Sequence, residues 1–152
     1  MKTSSQYQIS FANGFADLYL DKENGEFALD LRRQEITIYL NSNQYGALAL
    51  LIQEVNENEE LIDYIKWKKD PLQCDDSKLF EVCGPDHVVC LACTPNCERV
   101  KLTFDLGVAI DLSFSDFSGL NDLIIEAQAD LEWRRELLNW NTGETGQDFQ
   151  AT

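Results

Sequence analysis

The chain has 152 residues, of which 44% are hydrophobic and 11% aromatic, and this apolar content argues against general disorder because it suffices for a buried core. Asp and Glu number 27 against 12 Lys and Arg, which gives a formal net charge of −15. A charge of this sign disfavours direct binding of nucleic acid or anionic membranes, and it favours cationic surfaces or metal ions. Charge that serves solubility alone is the alternative.

The first residues and the cysteines bear on the cellular compartment. The start of the chain has no apolar signal core, and no apolar run approaches the roughly 20 residues of a membrane span. The five cysteines lie between positions 74 and 97, and an odd, clustered set differs from the usual secreted disulfide framework. We therefore expect a reducing cytoplasm.

An internal repeat of 72 residues organises the sequence. Residues 36–40 align with residues 108–112, and the apolar positions 48, 51 and 52 align with 120, 123 and 124. Because strands, turns and helix keep one register, the pattern predicts two copies of one structural unit. Chance similarity between two amphipathic units is the alternative.

The first copy is predicted to begin with four strands, over residues 7–11, 15–20, 27–31 and 36–40. Apolar and polar residues alternate in these segments, as in half-buried strands. Asn13 and Gly14 predict a tight hairpin between the first two strands, because both residues tolerate positive φ.

Two helices are predicted to complete the first copy. Asn43 is a candidate N-cap, and an apolar stripe then runs from Tyr45 to Val55. The stripe stops at residues 56–58, and Leu61 and Ile65 resume it on a rotated face, so the helix should break there.

The second copy should repeat this order, with strands over 79–83, 88–92, 100–104 and 108–112. Ser115 is its candidate N-cap, and its apolar stripe predicts one long helix over about 116–140. We therefore predict an internally duplicated α+β fold of two ββββα halves, whose antiparallel sheets are covered by helices. The predicted division is a first half over 1–70, a linker over 71–78, a second half over 79–140 and a flexible tail over 141–152.

The cysteines allow three interpretations. Cys83, Cys90, Cys93 and Cys97 have a spacing that suggests a zinc site on a hairpin. Cys83 and Cys90 align with Phe11 and Leu18 of the first copy, which instead favours small buried side chains. A redox pair of Cys93 with Cys97 is the third interpretation. The fold itself should need no zinc, since the first copy lacks these cysteines.

Motifs for catalysis are sparse. The single histidine, His87, follows a turn, and no residue that would orient its ring is identifiable. No phosphate-binding glycine loop, nucleophile elbow or metalloprotease helix is present. The acidic segment 21–32 departs from a calcium-binding EF-hand loop in its glycine position and in its last residue, so it favours a hairpin turn. We therefore expect no enzymatic activity.

The acidic residues are segregated along the chain. Between Lys101 and Arg134 there is no basic residue, and Asp122, Glu126 and Asp130 are spaced so that they align about 6 Å apart on one helix face. A continuous helix would extend this face through three apolar residues, Trp133, Leu137 and Trp140. Burial of the two tryptophans by the other half or by the tail is the alternative. Residues 54–63 form a second acidic segment at the predicted helix break, for which a solvated helix start is the alternative.

These features together predict a binding function. Exposed tryptophan beside carboxylates is typical of protein interfaces, since the aromatic ring anchors contacts while charge steers encounter. We expect a non-enzymatic regulator, inhibitor or adaptor that docks on a basic protein surface, including as a nucleic-acid mimic on a nucleic-acid-handling protein. The alternative is a metal-binding regulator that holds zinc through the cysteines or calcium through the acids. The apolar end of the helix face is also compatible with a homodimer.

Overall fold

A computed structural model describes residues 10–21, 26–66, 70, 79–95, 98–105, 107–130 and 133–135. The strands are β1 (Ser10–Ala12), β2 (Ala16–Asp21), β3 (Glu26–Leu31), β4 (Ile36–Leu40), β5 (Phe80–Cys83), β6 (Val89–Thr94), β7 (Arg99–Phe104) and β8 (Val108–Ser113). The helices are α1 (Ser42–Glu57), α2 (Glu59–Ile65) and α3 (Phe114–Ala129). Among the described residues, no helix is both long and apolar enough to cross a lipid bilayer.

The strands form two antiparallel four-stranded sheets, β1-β2-β3-β4 and β5-β6-β7-β8. Each strand pairs with its neighbour in sequence, because the connecting turns are short enough for hairpins. A helix follows each sheet. The predicted α+β class with two ββββ-plus-helix halves is therefore confirmed.

The chain divides into two compact units whose boundaries fall inside helices. Unit 1 contains Met1–Gly46 and Asp122–Thr152, and unit 2 contains Ala47–Asn121. Each unit thus combines one sheet with parts of the helices. The division of the chain by sequence into 1–70 and 79–140 is a different partition, and it stays a prediction.

The core of unit 1 lies on one face of the β1–β4 sheet. Alternate residues of β2 are buried, as the period of two requires. The buried apolar set includes Ala16, Leu18, Leu20, Phe27, Leu29, Leu31, Ile38, Leu40, Tyr45, Leu123 and Ile124. Burying each large side chain contributes about 1.5–3 kcal/mol relative to leaving it exposed. The predicted β1–β2 hairpin is present, but of the two turn residues only Gly14 has positive φ (+90°), and Asn13 instead accepts backbone hydrogen bonds through its side chain.

The core of unit 2 combines the β5–β8 sheet with a helical stripe. The stripe residues Leu48, Leu51, Ile52 and Val55 are all buried. The predicted helix break is present, because Asn58 separates α1 from α2 and its side-chain oxygen accepts the Leu61 N–H at 3.1 Å.

A paired amide also fixes α1 against the start of α3 within unit 2. The Asn56 side-chain nitrogen donates to Asn121 Oδ1 and to the Ile52 carbonyl, both at 2.7 Å. Asn121 is fully buried, so this partner satisfies a polar group that would otherwise be costly to bury.

The helix N-caps lie two residues earlier than predicted in both halves. Asn41 Oδ1 accepts the Gln44 N–H at 2.8 Å, and Gln44 Oε1 accepts the Asn41 N–H at 2.9 Å, which is a capping box. Ser113 Oγ accepts the Asp116 N–H at 3.1 Å. Asn43 and Ser115 were therefore wrong as caps, although the observed caps keep the 72-residue spacing.

Candidate functional site

The charged residues of the three helices are all acidic. They contain eight carboxylates and no lysine or arginine. The carboxylates are Glu54, Glu57, Glu59, Glu60, Asp63, Asp116, Asp122 and Glu126. Interspersed lysines at spacings of three or four would stabilise such helices by a few tenths of a kcal/mol per pair, so their absence is not explained by helix stability.

The outward face of α3 carries an acidic ridge, defined here as Asp122 and Glu126. Both side chains are exposed, and Ile125 beside them is 46% exposed. Glu126 lies in the last turn of α3, where a negative charge opposes the helix dipole. The ridge therefore combines two carboxylates with an exposed apolar side chain. One of these carboxylates, Glu126, lies where its charge lowers the stability of the helix.

The long helix predicted over 116–140 was wrong, because α3 ends at Ala129. Asp130 Oδ1 accepts the backbone N–H of Trp133 at 2.9 Å, and its carbonyl accepts the N–H of Arg134 at 3.1 Å. Asp130 is thus half-buried and caps a new turn instead of extending the ridge.

Trp133 is not an exposed partner-binding residue, and the alternative that it is buried is confirmed. Its side chain is 1% exposed, since the break at Asp130 rotates the following turn away from the direction a continuous helix would give it. Leu137 and Trp140 lie outside the described residues. Of the six predicted partner-binding residues, Asp122 and Glu126 are thus the two described ones whose side chains are exposed.

Trp133 belongs to an aromatic cluster in unit 1. Its ring lies 5.4 Å from Phe11, 5.5 Å from Phe27 and 5.6 Å from Tyr45 between centroids, in edge-to-face arrangements. Tyr45 stacks on Phe27 at 4.5 Å. Aromatic pairs of this geometry add about 0.5–1.5 kcal/mol beyond burial, so the cluster is part of the core.

The hydroxyl group of Tyr45 is satisfied inside this cluster. It donates to Gln128 Oε1 at 2.6 Å and accepts the indole N–H of Trp133 at 3.1 Å. Burial raises the pKa of Tyr45 above its ordinary value of 10.0, and the hydrogen bond from Trp133 offsets part of that increase. The hydroxyl is therefore a neutral structural group.

The second acidic segment separates into two parts. Glu59 and Glu60 occupy the first turn of α2, where carboxylates favour the helix dipole. Glu54 and Glu57 occupy the last turn of α1, where they oppose it. The alternative of a solvated helix start therefore explains the first pair but not the second.

Glu54 and Glu57 line a groove in unit 2 that sequence reasoning missed. The groove has a volume of about 420 Å³ and lies between the outer side of α1 and the β5–β6 turn. We call this cavity the α1 groove. The residues that line it are Leu50, Gln53, Glu54, Glu57, Cys83, Gly84 and Pro85. The available signal was Leu50, an apolar residue off the buried stripe, which is 45% exposed.

The predicted zinc ligands do not converge. Cys83 and Cys90 are register partners on β5 and β6 and form a disulfide, whereas Cys93 is buried on the opposite face of β6. Cys97 lies outside the described residues, so the suggested redox pair of Cys93 with Cys97 stays a prediction. Within the described ranges, no group of three or more His, Cys, Asp or Glu side chains could hold a metal ion.

The expectation that Cys83 and Cys90 are small buried side chains was wrong as well. Cys83 is exposed and Cys90 is half-buried. The β5–β6 connection has six residues between its innermost paired positions, against four for β1–β2. The pairing of Cys83 with Cys90 keeps the 72-residue offset from the pairing of Phe11 with Leu18, but the buried residues of β6 include Leu91 and Cys93, one position after those that align with Leu18 and Leu20. Because side chains alternate between the two faces of a strand, this one-residue difference places Cys90 on the outer face.

The remaining candidates for chemistry are dispersed. His87 is exposed, with φ 58°, in a short turn at Pro85–His87. Asp21 pairs with Glu26 across the β2–β3 hairpin, as the hairpin interpretation of this segment predicted.

The basic residues lie outside the three helices. Arg32 forms a bidentate pair with Asp17 at 2.9–3.1 Å, and hydrogen bonding to Asp17 raises the pKa of Arg32. Arg99 and Lys101 are exposed on β7, where Lys101 faces Asp111 across the strand pair. Arg134 and Arg135 are exposed in the helical turn at 133–135 that follows α3, and the other described basic residues lie in turns and strands, while α1, α2 and α3 themselves carry negative charge alone.

In comparisons with known proteins, no protein-family model, no curated protein and no solved structure matches this chain.

Proposed function

We propose that this protein is a non-enzymatic binding protein whose acidic helix surfaces dock on a cationic surface of a protein partner. The supporting observation is the composition of the three helices, which hold eight carboxylates and no lysine or arginine. Charge of one sign on rigid elements creates a field that accelerates encounter with an oppositely charged partner and suppresses binding to anionic ones.

The positions of these acids favour docking over general solubility. Solubility needs net charge, which exposed loops could provide at no cost to helix stability. Glu57 and Glu126 instead lie at helix C-termini, where each opposes the helix dipole by about 0.3–1 kcal/mol. Retained destabilising charge is typical of functional surfaces.

The acidic ridge on α3 is the proposed contact. Asp122 and Glu126 supply the charge, and exposed Ile125 beside them supplies an apolar contact. Rim charges mainly change association rate and salt dependence, while a central apolar residue contributes to the residence time. This binding requires no metal or cofactor.

The nucleic-acid mimic is the specific form of this proposal. A protein groove that binds the phosphate backbone presents lysine and arginine, and carboxylates on a helix would compete for the same cations. Cytoplasm is the proposed compartment. An exposed disulfide is usually reduced there, but the acidic ridge includes neither cysteine, so the proposed docking does not depend on the thiol state.

The test is affinity capture with matched charge variants, followed by identification and binding measurements with the captured protein. Asp122→Lys with Glu126→Lys reverses the ridge. Glu35→Lys with Glu81→Lys makes the same change in net charge at exposed positions outside the helices. We expect a basic partner whose affinity falls at least tenfold with the ridge variant, and much less with the control.

Salt and competitor nucleic acid complete this test. Affinity should fall as salt rises, because exposed charge pairs are screened, and a partner retained equally at low and high salt would contradict charge-based docking. Displacement of the partner by DNA or RNA would support the mimic. Equal loss with both variants would assign binding to net charge and not to the ridge.

A further inference from the structure

The α1 groove is distinct from the acidic ridge in position and in chemistry. Leu50 and Pro85 provide apolar surface on its two sides, and Glu54 and Glu57 provide two carboxylates along one rim. None of these residues belongs to α3. The groove's volume of about 420 Å³ is in the range of ligand-binding clefts, so it accommodates side chains of a partner as well as their charges.

Two features of the β5–β6 turn hold the wall opposite α1 in place, and the second of them, a backbone hydrogen bond, does not depend on the thiol state. The disulfide between Cys83 and Cys90 joins the two strands at the base of the turn, and Gly84 N–H donates to the Val89 carbonyl at 2.8 Å. A Cβ atom at Gly84 would lie 3.1 Å from the Ala47 carbonyl oxygen, so glycine permits the turn to approach α1 closely. A preformed wall reduces the ordering cost of binding.

The charges of the groove determine what it can accept. Glu54 and Glu57 lie in the last turn of α1, where the unpaired carbonyl groups of the helix end add partial negative charge. Among the described residues, no lysine or arginine lines the groove. An anionic or purely apolar segment would leave these carboxylates desolvated without partners, whereas lysine or arginine side chains would satisfy them.

The apolar surface of the groove further restricts the kind of segment that can bind there. Leu50 is 45% exposed on the groove side of α1, although leucine on a helix surface usually faces the core. A partner side chain that covered Leu50 and Pro85 would gain about 25 cal/mol for each Å² of apolar surface buried. Pure charge attraction gives no such contact, so the occupant needs an apolar anchor.

We propose that the α1 groove binds a protein segment in which one apolar side chain is flanked by lysine or arginine. The apolar side chain contacts Leu50 and Pro85, and the flanking cations contact Glu54 and Glu57. This inference rests on the proposed function, since it specifies a segment of a cationic partner, but it assigns that segment to unit 2 and not to the ridge.

The test uses synthetic peptides and ¹⁵N-labelled full-length protein. The probe is a pentapeptide with a central leucine between two pairs of lysine and arginine. The controls are the same peptide with serine for leucine, and one with glutamate for each cation. We expect saturable amide shifts at Gln53, Glu57 and Gly84 with the probe, at least tenfold weaker binding of the serine peptide, and no shifts with the acidic peptide.

Two protein variants locate the binding. Leu50→Ser alters an exposed side chain and should weaken the probe about tenfold, and Glu54→Gln with Glu57→Gln should weaken it at least as much. Asp122→Asn with Glu126→Gln removes the same charge from the ridge and should leave probe affinity within twofold. Because all the altered side chains are exposed, spectra of the free variants should retain the wild-type dispersion.

The outcomes separate this inference from the proposed function. Shifts that do not saturate, equal binding of leucine and serine peptides, or shifts confined to α3 would overturn the groove assignment. Binding in the groove together with no ridge-dependent basic partner would retain this inference and remove the proposed ridge function.

Discussion

The indole nitrogen of Trp133 donates a hydrogen bond to the hydroxyl oxygen of Tyr45 at 3.1 Å, and both side chains are buried. The same hydroxyl group donates a second hydrogen bond to the side chain of Gln128, near the end of α3. The turn after Asp130 is thereby attached to the core of unit 1 by one aromatic side chain.

Replacing Trp133 should therefore destabilise the protein. Trp133→Ala should lower the free energy of unfolding by about 3–5 kcal/mol, through lost burial and the resulting cavity. Trp133→Phe keeps most of the ring but removes the donor, and should cost less. Urea denaturation followed by circular dichroism measures both. Arg134→Ala, at an exposed neighbour, should change stability by less than about 0.5 kcal/mol, and a similar loss for both alanine variants would refute the core assignment.

The raised pKa of Tyr45 predicts a dependence of stability on alkaline pH. An unfolded tyrosine ionises near its ordinary value of 10.0, whereas burial keeps Tyr45 protonated to higher pH in the folded protein. The contribution is fully present below pH 10 and is lost as the pH rises through the folded-state pKa.

Urea denaturation at a series of pH values between about 8 and 11 checks this prediction, since the ordinary tyrosine pKa is about 10. Tyr45→Phe should show a shallower loss of stability above pH 10 than the wild type, despite being less stable at pH 8 because it loses the hydrogen bonds to Gln128 and Trp133. Identical slopes for the two proteins would contradict the assignment.

The disulfide between Cys83 and Cys90 should stabilise unit 2. The bridge spans 7 positions in sequence, and closing a loop of this size in the unfolded chain contributes about 2 kcal/mol. Cys83→Ser with Cys90→Ser should lower unfolding free energy by this amount under oxidising conditions. Reductant should destabilise the wild type and leave the double variant unchanged. Alkylation followed by peptide mass mapping verifies the thiol state, and alkylation of Cys83 and Cys90 in the oxidised wild type would disprove the bridge.

Reversing Glu126 should make the protein more stable. The substitution Glu126→Lys removes repulsion with Asp122 one turn earlier and places a cation in the last turn of α3, where it complements the helix dipole. Thermal and urea denaturation should show a gain of about 0.5–1 kcal/mol. Glu60→Lys, in the first turn of α2, should show the opposite sign. A loss of stability with Glu126→Lys would mean that the carboxylate has a structural role.

The helical parts of the fold were predictable because their apolar stripes keep a 72-residue spacing through the sequence. Leu48 and Leu120, like Ile52 and Ile124, are buried at matching positions. In β6 the spacing changes, since Leu18 corresponds to Leu91 by its position on the core face, whereas Ile38 and Ile110 keep the 72-residue spacing. A single alignment offset conceals such a change, and it placed Cys83 and Cys90 on the wrong face.

The error at Trp133 has a different origin. A continuous apolar stripe from 117 to 138 favours a single helix. In such a helix, Trp133 would lie on the same face as Glu126, two turns later. Asp130 was the available contrary signal, because aspartate is a preferred N-cap and its oxygen bonds the N–H three residues later. The α1 groove was not predictable, since it depends on how closely the Gly84 turn approaches α1.

The end of α3 at Ala129 limits the size of any partner footprint along this helix. Sixteen residues extend about 24 Å at 1.5 Å per residue, which equals about seven base pairs of DNA. Asp122 and Glu126 are about 6 Å apart along the axis, so they offer roughly one negative charge for every two phosphates of a single strand. A cationic groove built for a longer duplex would therefore be only partly occupied by α3.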